Sequence, residues 1–415
     1  MAIINGTNAA NTLYGTPSAD WIDGKRGDDQ IYGRGGDDQI LGGAGNDGLR
    51  GEAGNDRIHG GDGVDYLSGG IGADLLYGDQ GNDVLDGGSN DDQIHSGIGN
   101  DVALGGTGND IVHGNAGNDR LYGHSGTDLL TGGSGIDRID AGAGDDFALG
   151  GEGDDRIWGG DGTDRLFGGA GNDIINAGRG SNQLFGDTGN DILVMDYMVV
   201  ESGPGQNVNE YRDSYFDGGA GSDTLRIDTR HEAGFGPAGG ITVDGSTGSI
   251  SWSFPVEGGP VWQGGHFANF ERIEITSRDA PPELYYRGGD TAVTVVGTAP
   301  APDYFQGGLA DERFIGRGGA DRYDSGPGND TAVSSRNSFD TFIFRSGEEV
   351  PGGQQGNDRI IGFDESDHIQ FYGFADADDL ARTEFNGTTV FTWTLGSVTV
   401  DALGLTQGED YFLVA

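Results

Sequence analysis

From Gly6 to Val194 the chain advances in steps of nine residues, twenty-one times, without one insertion or deletion. A period so short and so strict excludes a conventional globular core, because every unit has to take the same local conformation and bury its apolar residue against its neighbours. A typical unit is Gly42-Gly43-Ala44-Gly45-Asn46-Asp47-Gly48-Leu49-Arg50. The sixth position is Asp in 19 of the 21 units, with Asn11 and Asn182 as exceptions. The eighth is aliphatic every time, from Leu13 to Leu193, with Ala103 and Ala148 the smallest. The fourth is Gly in 18 units, departing at Ala9, Ser18 and Asn90.

One apolar residue between polar neighbours, as in Arg57-Ile58-His59, predicts a very short strand with a single inward side chain, and the six residues before it predict a turn. Glycines in that turn permit positive φ and close backbone approach. Two units then make a coil of 18 residues, and each turn stacks on the one 18 residues later at roughly 4.8 Å. Stacking puts Asp29, Asp47, Asp65, Asp83, Asp101, Asp119, Asp137, Asp155, Asp173 and Asp191 in one column. Asp20, Asp38, Asp56, Asp74, Asp92, Asp110, Asp128, Asp146 and Asp164 form the opposite one.

Such columns are self-repelling. Unit charges about 5 Å apart cost roughly 3 kcal/mol at an effective dielectric near 20. One inward Leu or Ile per nine residues returns only about 1.5 to 3 kcal/mol. Counter-charge is required, and calcium suits it: a hard ion that accepts carboxylates and backbone carbonyls together in irregular geometry. Magnesium holds its water more tightly, and transition metals prefer imidazole or thiolate.

Composition agrees. The chain carries 68 acids against 23 bases, a formal charge of −45, with Lys25 the sole lysine. Nucleic acid and anionic membrane surfaces are disfavoured as partners. Absence of cysteine removes disulfides and thiolate metal sites. No apolar run is long enough to insert in a membrane, and the opening MAIINGTNAANTLYG lacks the pattern of a secretory signal peptide.

The repeat resembles the glycine-rich nonapeptide of the RTX family of calcium-binding proteins. That resemblance implies an all-β fold, a right-handed parallel β-roll of about ten coils, with calcium ions between stacked turns. It implies that Asp47 and Asp65 share an ion, as do Asp56 and Asp74. Pairing each turn with the next but one gives 19 possible sites, those using Asn11 or Asn182 being weak or empty.

Beyond this first roll, residues 1–194, the period lapses except for the unit Gly218 to Arg226, with Asp223 and Leu225 in place. Alternation in Ile250-Ser251-Trp252-Ser253-Phe254 and Arg272-Ile273-Glu274-Ile275 predicts a small antiparallel β insert over 195–296. The period resumes at Gly307, Gly316 and Ser325, which predicts a second short roll over 297–339. There Glu312, Asp321 and Asp330 take the acidic position, Phe314, Tyr323 and Ala332 the inward one, and Asp303 and Phe305 corresponding roles just upstream. Calcium is expected at Asp321 and Asp330 rather than at Glu312, whose longer arm shifts the oxygens. Residues 340–415 resemble the C-terminal region of RTX proteins exported by a type I secretion apparatus, and also suit a β-rich cap.

No catalytic constellation is found. His231-Glu232-Ala233-Gly234-Phe235 lacks the second histidine of a zinc helix, and Gly123-His124-Ser125-Gly126-Thr127 is an in-register turn rather than a serine elbow. Three outward ladders stand out: His59, Tyr77, His95 and His113; Arg120, Arg138 and Arg156 beside Tyr122, Asp140 and Trp158; and Leu149, Phe167 and Phe185, joined by Phe147. The first reads as a solvated face whose spacing also suits a metal or pH-responsive pair, the second as charge balance against the acidic turns that also suits acidic sugars, and the third as an apolar face covered by the β insert or by a second copy. The expectation is a secreted, extracellular, non-enzymatic calcium-binding protein with a structural or adhesive role. The non-catalytic portion of an RTX hydrolase and a glycan-binding module are the alternatives, and cell-surface glycan or self-association supplies the further partner.

Overall fold

The computed structural model describes residues 1–198, 214–230, 241–245, 247–254, 261–277, 284–289, 291–298, 301–335, 338–345, 357–364, 366–372, 381–385, 388–393, 396–400 and 411–414. Residues 231–235, and much of the C-terminal region expected to carry the secretion signal, lie outside them. Every regular element among the described residues is a β-strand. The chain divides into two units, Met1–Val194 with Ser214–Asp223, and Met195–Asp213 with Thr224–Ala415.

In the first unit each strand pairs in parallel with the strand 18 residues on, so Ile58 faces Leu76, Leu76 faces Ile94 and Ile94 faces Val112. The eighth-position side chains from Ile22 to Leu193 are buried, at most 1% exposed. Two short strands per coil, each giving the interior one aliphatic side chain, build a narrow continuous core in which no coil is stable without its neighbours.

The strands are longer than the expected one-residue segment. Arg57–Asp62 is typical: it runs from the seventh position of one unit to the third of the next, and its second and fourth residues, Ile58 and Gly60, are both buried. The first-position glycine is thus an inward strand residue with no side chain to betray it, and the turn shrinks to three residues. In that turn the fourth position favours glycine, although Asn90 takes the same place with φ 81°. Gly117 has φ 138°, and a Cβ there would lie 1.5 Å from the carbonyl oxygen of Gly99.

The second unit also coils in parallel. One ladder runs through Thr224–Arg230, Arg272–Ser277, Thr294–Val296, Arg313–Ile315, Thr331–Val333, Asn357–Ile361 and Gly396–Val400. The other runs through Ile241–Asp244, Leu284–Arg287, Tyr304–Gln306, Arg322–Asp324, Thr341–Arg345, His368–Tyr372 and Tyr411–Val414. Among the described residues antiparallel pairing joins Ile241–Asp244, Ser249–Phe254 and Val261–Ala268, and Ala381–Phe385, Thr388–Trp393 and Gly396–Val400. A coil needs inward alternation on its strands, as in Leu225 and Ile227 or Ile273 and Ile275, but not a fixed turn length. Coiling therefore does not require the nine-residue period, and the described residues of the two units make about fifteen turns. The second core is aromatic: Phe305, Tyr323 and Phe342 stack with ring centroids 5.1 and 4.8 Å apart.

Candidate metal centre

The sixth-position aspartates of the first roll are buried, each 3% exposed or less. One carboxylate oxygen of each accepts a hydrogen bond from the backbone N–H one coil earlier: Asp101 N donates to Asp119 Oδ1 at 2.8 Å and Asp119 N to Asp137 Oδ1 at 2.8 Å. The ladder extends from Ala2 and Asp20 to Asp191 and Asp223. The second oxygen is different. In every one of these aspartates from Asp29 to Asp191, Oδ2 is buried and has no hydrogen-bond partner. A buried polar atom left unsatisfied costs about 1–3 kcal/mol, more when charged.

In most turns the space facing these oxygens carries no side chain, Ser96, Ala141 and Ala177 being the first-position residues that place a Cβ there, and it is lined by more oxygen. A Cβ on Gly114 would lie 2.5 Å from Asp119 Oδ2 and 2.5 Å from the Gly132 carbonyl oxygen. Oxygens bordering a gap at that range suit a hard cation that takes ligands at about 2.3–2.6 Å. Among the described residues no three acidic or histidine side chains converge on one point, so carbonyls would have to complete any coordination shell.

The exceptions act as internal controls. Asn182 keeps the ladder, its Oδ1 accepting from Asp164 N at 2.8 Å, while its Nδ2 donates to the Ala177 carbonyl at 2.9 Å. An amide nitrogen thus sits where an aspartate would present a second acceptor, and this turn is satisfied by the protein alone. Asp20 is also satisfied: its Oδ2 accepts from Thr16 N at 2.6 Å and Thr16 Oγ1 at 2.8 Å. The bond from Ala2 N, with those from Thr16, holds its carboxyl below the usual 3.8.

Elsewhere burial pushes the carboxyls up, against the backbone hydrogen bond and with help from neighbouring carboxylates. Asp92 rises to about 8, with Asp74 and Asp110 adding to the effect of burial. Asp38, Asp83, Asp155, Asp164 and Asp191 reach about 7. Asp47, Asp65, Asp101 and Asp137 reach about 6.

A second ladder went unread in the sequence. The fifth position holds Asn or Asp in 13 of the 21 units. In all 13 its Oδ1 accepts from the backbone N–H one coil later, as Asn118 does from Ile136 at 2.7 Å. The fifth residue therefore clamps the coil after it and the sixth the coil before it. Replacing Asn118 by Ala is expected to cost about 1 kcal/mol in the thermal unfolding of the calcium-loaded protein, whereas Thr127→Ala, which removes no such acceptor, should cost less.

In the second unit Asp303, Asp321, Asp340 and Asp367 form one acidic column: Asp303 N donates to Asp321 Oδ1, Asp321 N to Asp340 Oδ1 and Asp340 N to Asp367 Oδ1, at 2.9–3.0 Å. Glu312, Asp330 and Asp358 form the other. Asp340, Asp358 and Asp367 were missed by the nine-residue count. The signal that could have found them is the triplet of Asp, any residue and an inward apolar residue, present as Asp340-Thr341-Phe342, Asp358-Arg359-Ile360 and Asp367-His368-Ile369.

The outward ladders are formed as spaced. His59, Tyr77, His95 and His113 stack at 4.4, 5.0 and 4.9 Å, and burial holds His95 and His113 below the ordinary histidine range. Phe167 stacks on Phe185 at 4.6 Å, with Phe147 and Tyr215 tilted at either end. Arg120, Arg138 and Arg156 are exposed neighbours in register.

The RTX calcium-binding nonapeptide repeat (four copies) matches this chain repeatedly over residues 5–193 and again over 301–332. No curated protein matches it. Among solved structures it is similar to the extracellular lipase LipA from Serratia marcescens, with 19% identity and a TM-score of 0.25 over 72% of this chain and 43% of that one. It therefore spans less than half of the lipase's length. Matched over more than half its residues by a repeat known to bind calcium, and coiled as a parallel β-solenoid with the motif aspartates turned into its edges, the chain belongs to the RTX calcium-binding nonapeptide repeat family.

Proposed function

We propose that this is a secreted protein whose rolls fold when calcium fills their turns outside the cell, and that it serves there as a structural or adhesive component rather than as a catalyst. Its ligands would be the aspartates from Asp29 to Asp191, with Asp223 and Asp330, each supported by turn carbonyls. The observation that carries this reading is the contrast between the unsatisfied Oδ2 atoms and Asn182, where an amide donor takes the same place. Modular extracellular sites with dissociation constants of about 10⁻⁴ to 10⁻³ M fill at millimolar calcium and stay empty in a calcium-poor cytosol. Passage through a type I apparatus would then occur unfolded, with folding coupled to binding on the far side.

Equilibrium dialysis against calcium tests the binding. About one ion is expected for each unsatisfied aspartate oxygen, close to twenty per chain, and Asn182→Asp should raise the count while making the fold more dependent on calcium. Uptake of only one or two ions, or no change in Asn182→Asp, contradicts the reading. Cell fractionation with and without chelator tests the surface role, which predicts release or loss of the protein when calcium is removed.

A further inference from the structure

On one face of the first roll three arginines stand in consecutive coils. Arg120 pairs in register with Arg138 and Arg138 with Arg156, so their side chains leave parallel strands roughly 4.8 Å apart. All three are exposed. Among the described residues none of the three reaches a carboxylate within ion-pair distance, whereas Arg179 reaches Asp161 at 3.8 Å. Val102 bounds the row at one end and Ile174 at the other.

Charge balance against the acidic turns does not account for this row. Asp65, Asp83 and Asp101 stand in the same acid column as Asp119, Asp137 and Asp155. Yet the first three are followed by Tyr66, Val84 and Val102, and only the last three by arginine. Like charges in parallel register repel one another unless an anion lies across them. Two residues further along the same strands stand Tyr122, Asp140 and Trp158. Trp158 is 40% exposed and stacks on no other ring among the described residues. Beyond Asp140 and Trp158 the next outward residues are Gly142 and Gly160, which leave the sheet bare. The strip thus offers guanidinium donors, one carboxylate acceptor and an open aromatic ring. A matching ligand brings carboxylates, hydroxyl donors and an apolar ring face together, which is the chemistry of a uronic acid sugar. A nucleic acid would lay its phosphates against Asp140 on a chain of charge −45.

We propose that Arg120, Arg138 and Arg156 bind a linear acidic polysaccharide with a carboxylate on each successive sugar, while Trp158 packs against a sugar ring and Asp140 accepts from its hydroxyls. Each guanidinium takes one carboxylate in its two-pronged fork. The polymer runs across the strands, along the axis of the coil, so that its charges meet the arginines in turn. This inference rests on the adhesive role proposed above and supplies its ligand. Asp119, Asp137 and Asp155 lie one residue before the arginines, so calcium in those turns removes a negative field that repels the polymer, and binding needs the calcium-loaded protein.

Calorimetric titration of the calcium-loaded full chain with a galacturonic acid hexamer, too short to gel with calcium, tests the site, and circular dichroism records the fold of each variant. The wild type is expected to bind the hexamer and not its neutral, carboxyl-reduced counterpart. Arg138→Gln should weaken binding about tenfold or more, and Trp158→Ala several-fold. Arg57→Gln makes the same change in net charge on the other sheet and should leave binding unchanged. All three variants alter outward side chains and should fold in calcium as the wild type does. No binding by a calcium-folded chain, no difference between Arg138→Gln and Arg57→Gln, or tighter binding of an oligothymidylate of equal charge refutes the site and leaves the calcium account intact. A wild-type dimer that becomes a monomer in Arg138→Gln, with no hexamer bound, assigns the row to a second copy and also refutes it. A chain that calcium does not fold refutes the function proposed above, and this inference with it.

Discussion

Stripped of calcium at pH 7.5 and then brought to about pH 5.5, the protein is expected to regain much of its strand signal without any metal. The sign follows from the buried aspartates. An unfolded aspartate titrates near 3.8, whereas in the coil burial raises Asp92 to about 8, Asp83 and Asp155 to about 7, and Asp65 and Asp101 to about 6. Between those values the folded chain binds more protons than the unfolded one, so protonation favours folding. That contribution is full below about pH 4 and is lost as pH rises through about 6 to 8. A proton on Oδ2 also turns an unsatisfied acceptor into a donor, the role that Nδ2 plays in Asn182. At pH 5.5 the chain is still above its pI of about 4.1 and keeps net negative charge against aggregation. Far-ultraviolet circular dichroism in chelator over this range checks the prediction. A strand signal that falls on acidification from neutrality would contradict it, and calcium-loaded protein should show little change above about pH 6.

The second large effect is expected from Gly114→Val. Its Cβ would enter the space bordered by Asp119 Oδ2 and the Gly132 carbonyl, each 2.5 Å away, with two further methyl groups crowding the turn. Overpacking alone costs about 1–3 kcal/mol, and the loss of a cation from the middle of the first roll adds to it. Because each coil is held by its neighbours, a defect there should split one cooperative transition into two shorter blocks. Calcium-saturated thermal unfolding should then show two steps, or one at much lower temperature. Gly114→Ala is expected to be far milder, since Ser96, Ala141 and Ala177 already place a Cβ at the first position and are buried in the same way. Equal damage from the two variants would show that the space matters only as backbone clearance.

The period carried most of the fold. Eighteen-residue stacking, inward aliphatics and paired acid columns all follow from spacing and charge, and the pairings of Ile58 with Leu76 and of Asp101 N with Asp119 Oδ1 realise them. What escaped was information without a hydropathy signature. Gly60 faces the core as a strand residue but has no side chain to mark it. Asn118 drew no reading from the sequence, because a side chain that accepts from the backbone one coil away has no signature along the chain. Asp340, Asp358 and Asp367 were lost to counting in nines, although the coil tolerates turns of other lengths. At Asp321, an expected calcium ligand, the Tyr323 hydroxyl stands 3.4 Å from Oδ2 and 3.3 Å from the Val333 carbonyl, a contact that the nine-residue pattern does not encode.

On the function proposed here, all of these features depend on rows of close carboxylates that stay apart until positive charge enters the turns. Calcium titration of the chelated full chain at pH 7.5 and low salt, followed by far-ultraviolet circular dichroism, addresses that dependence directly. The account predicts a disordered spectrum that converts steeply to a β-rich one at submillimolar to millimolar calcium, and not with magnesium at the same concentration. A β-rich, compact chain already present in chelator, unchanged by calcium, would contradict it.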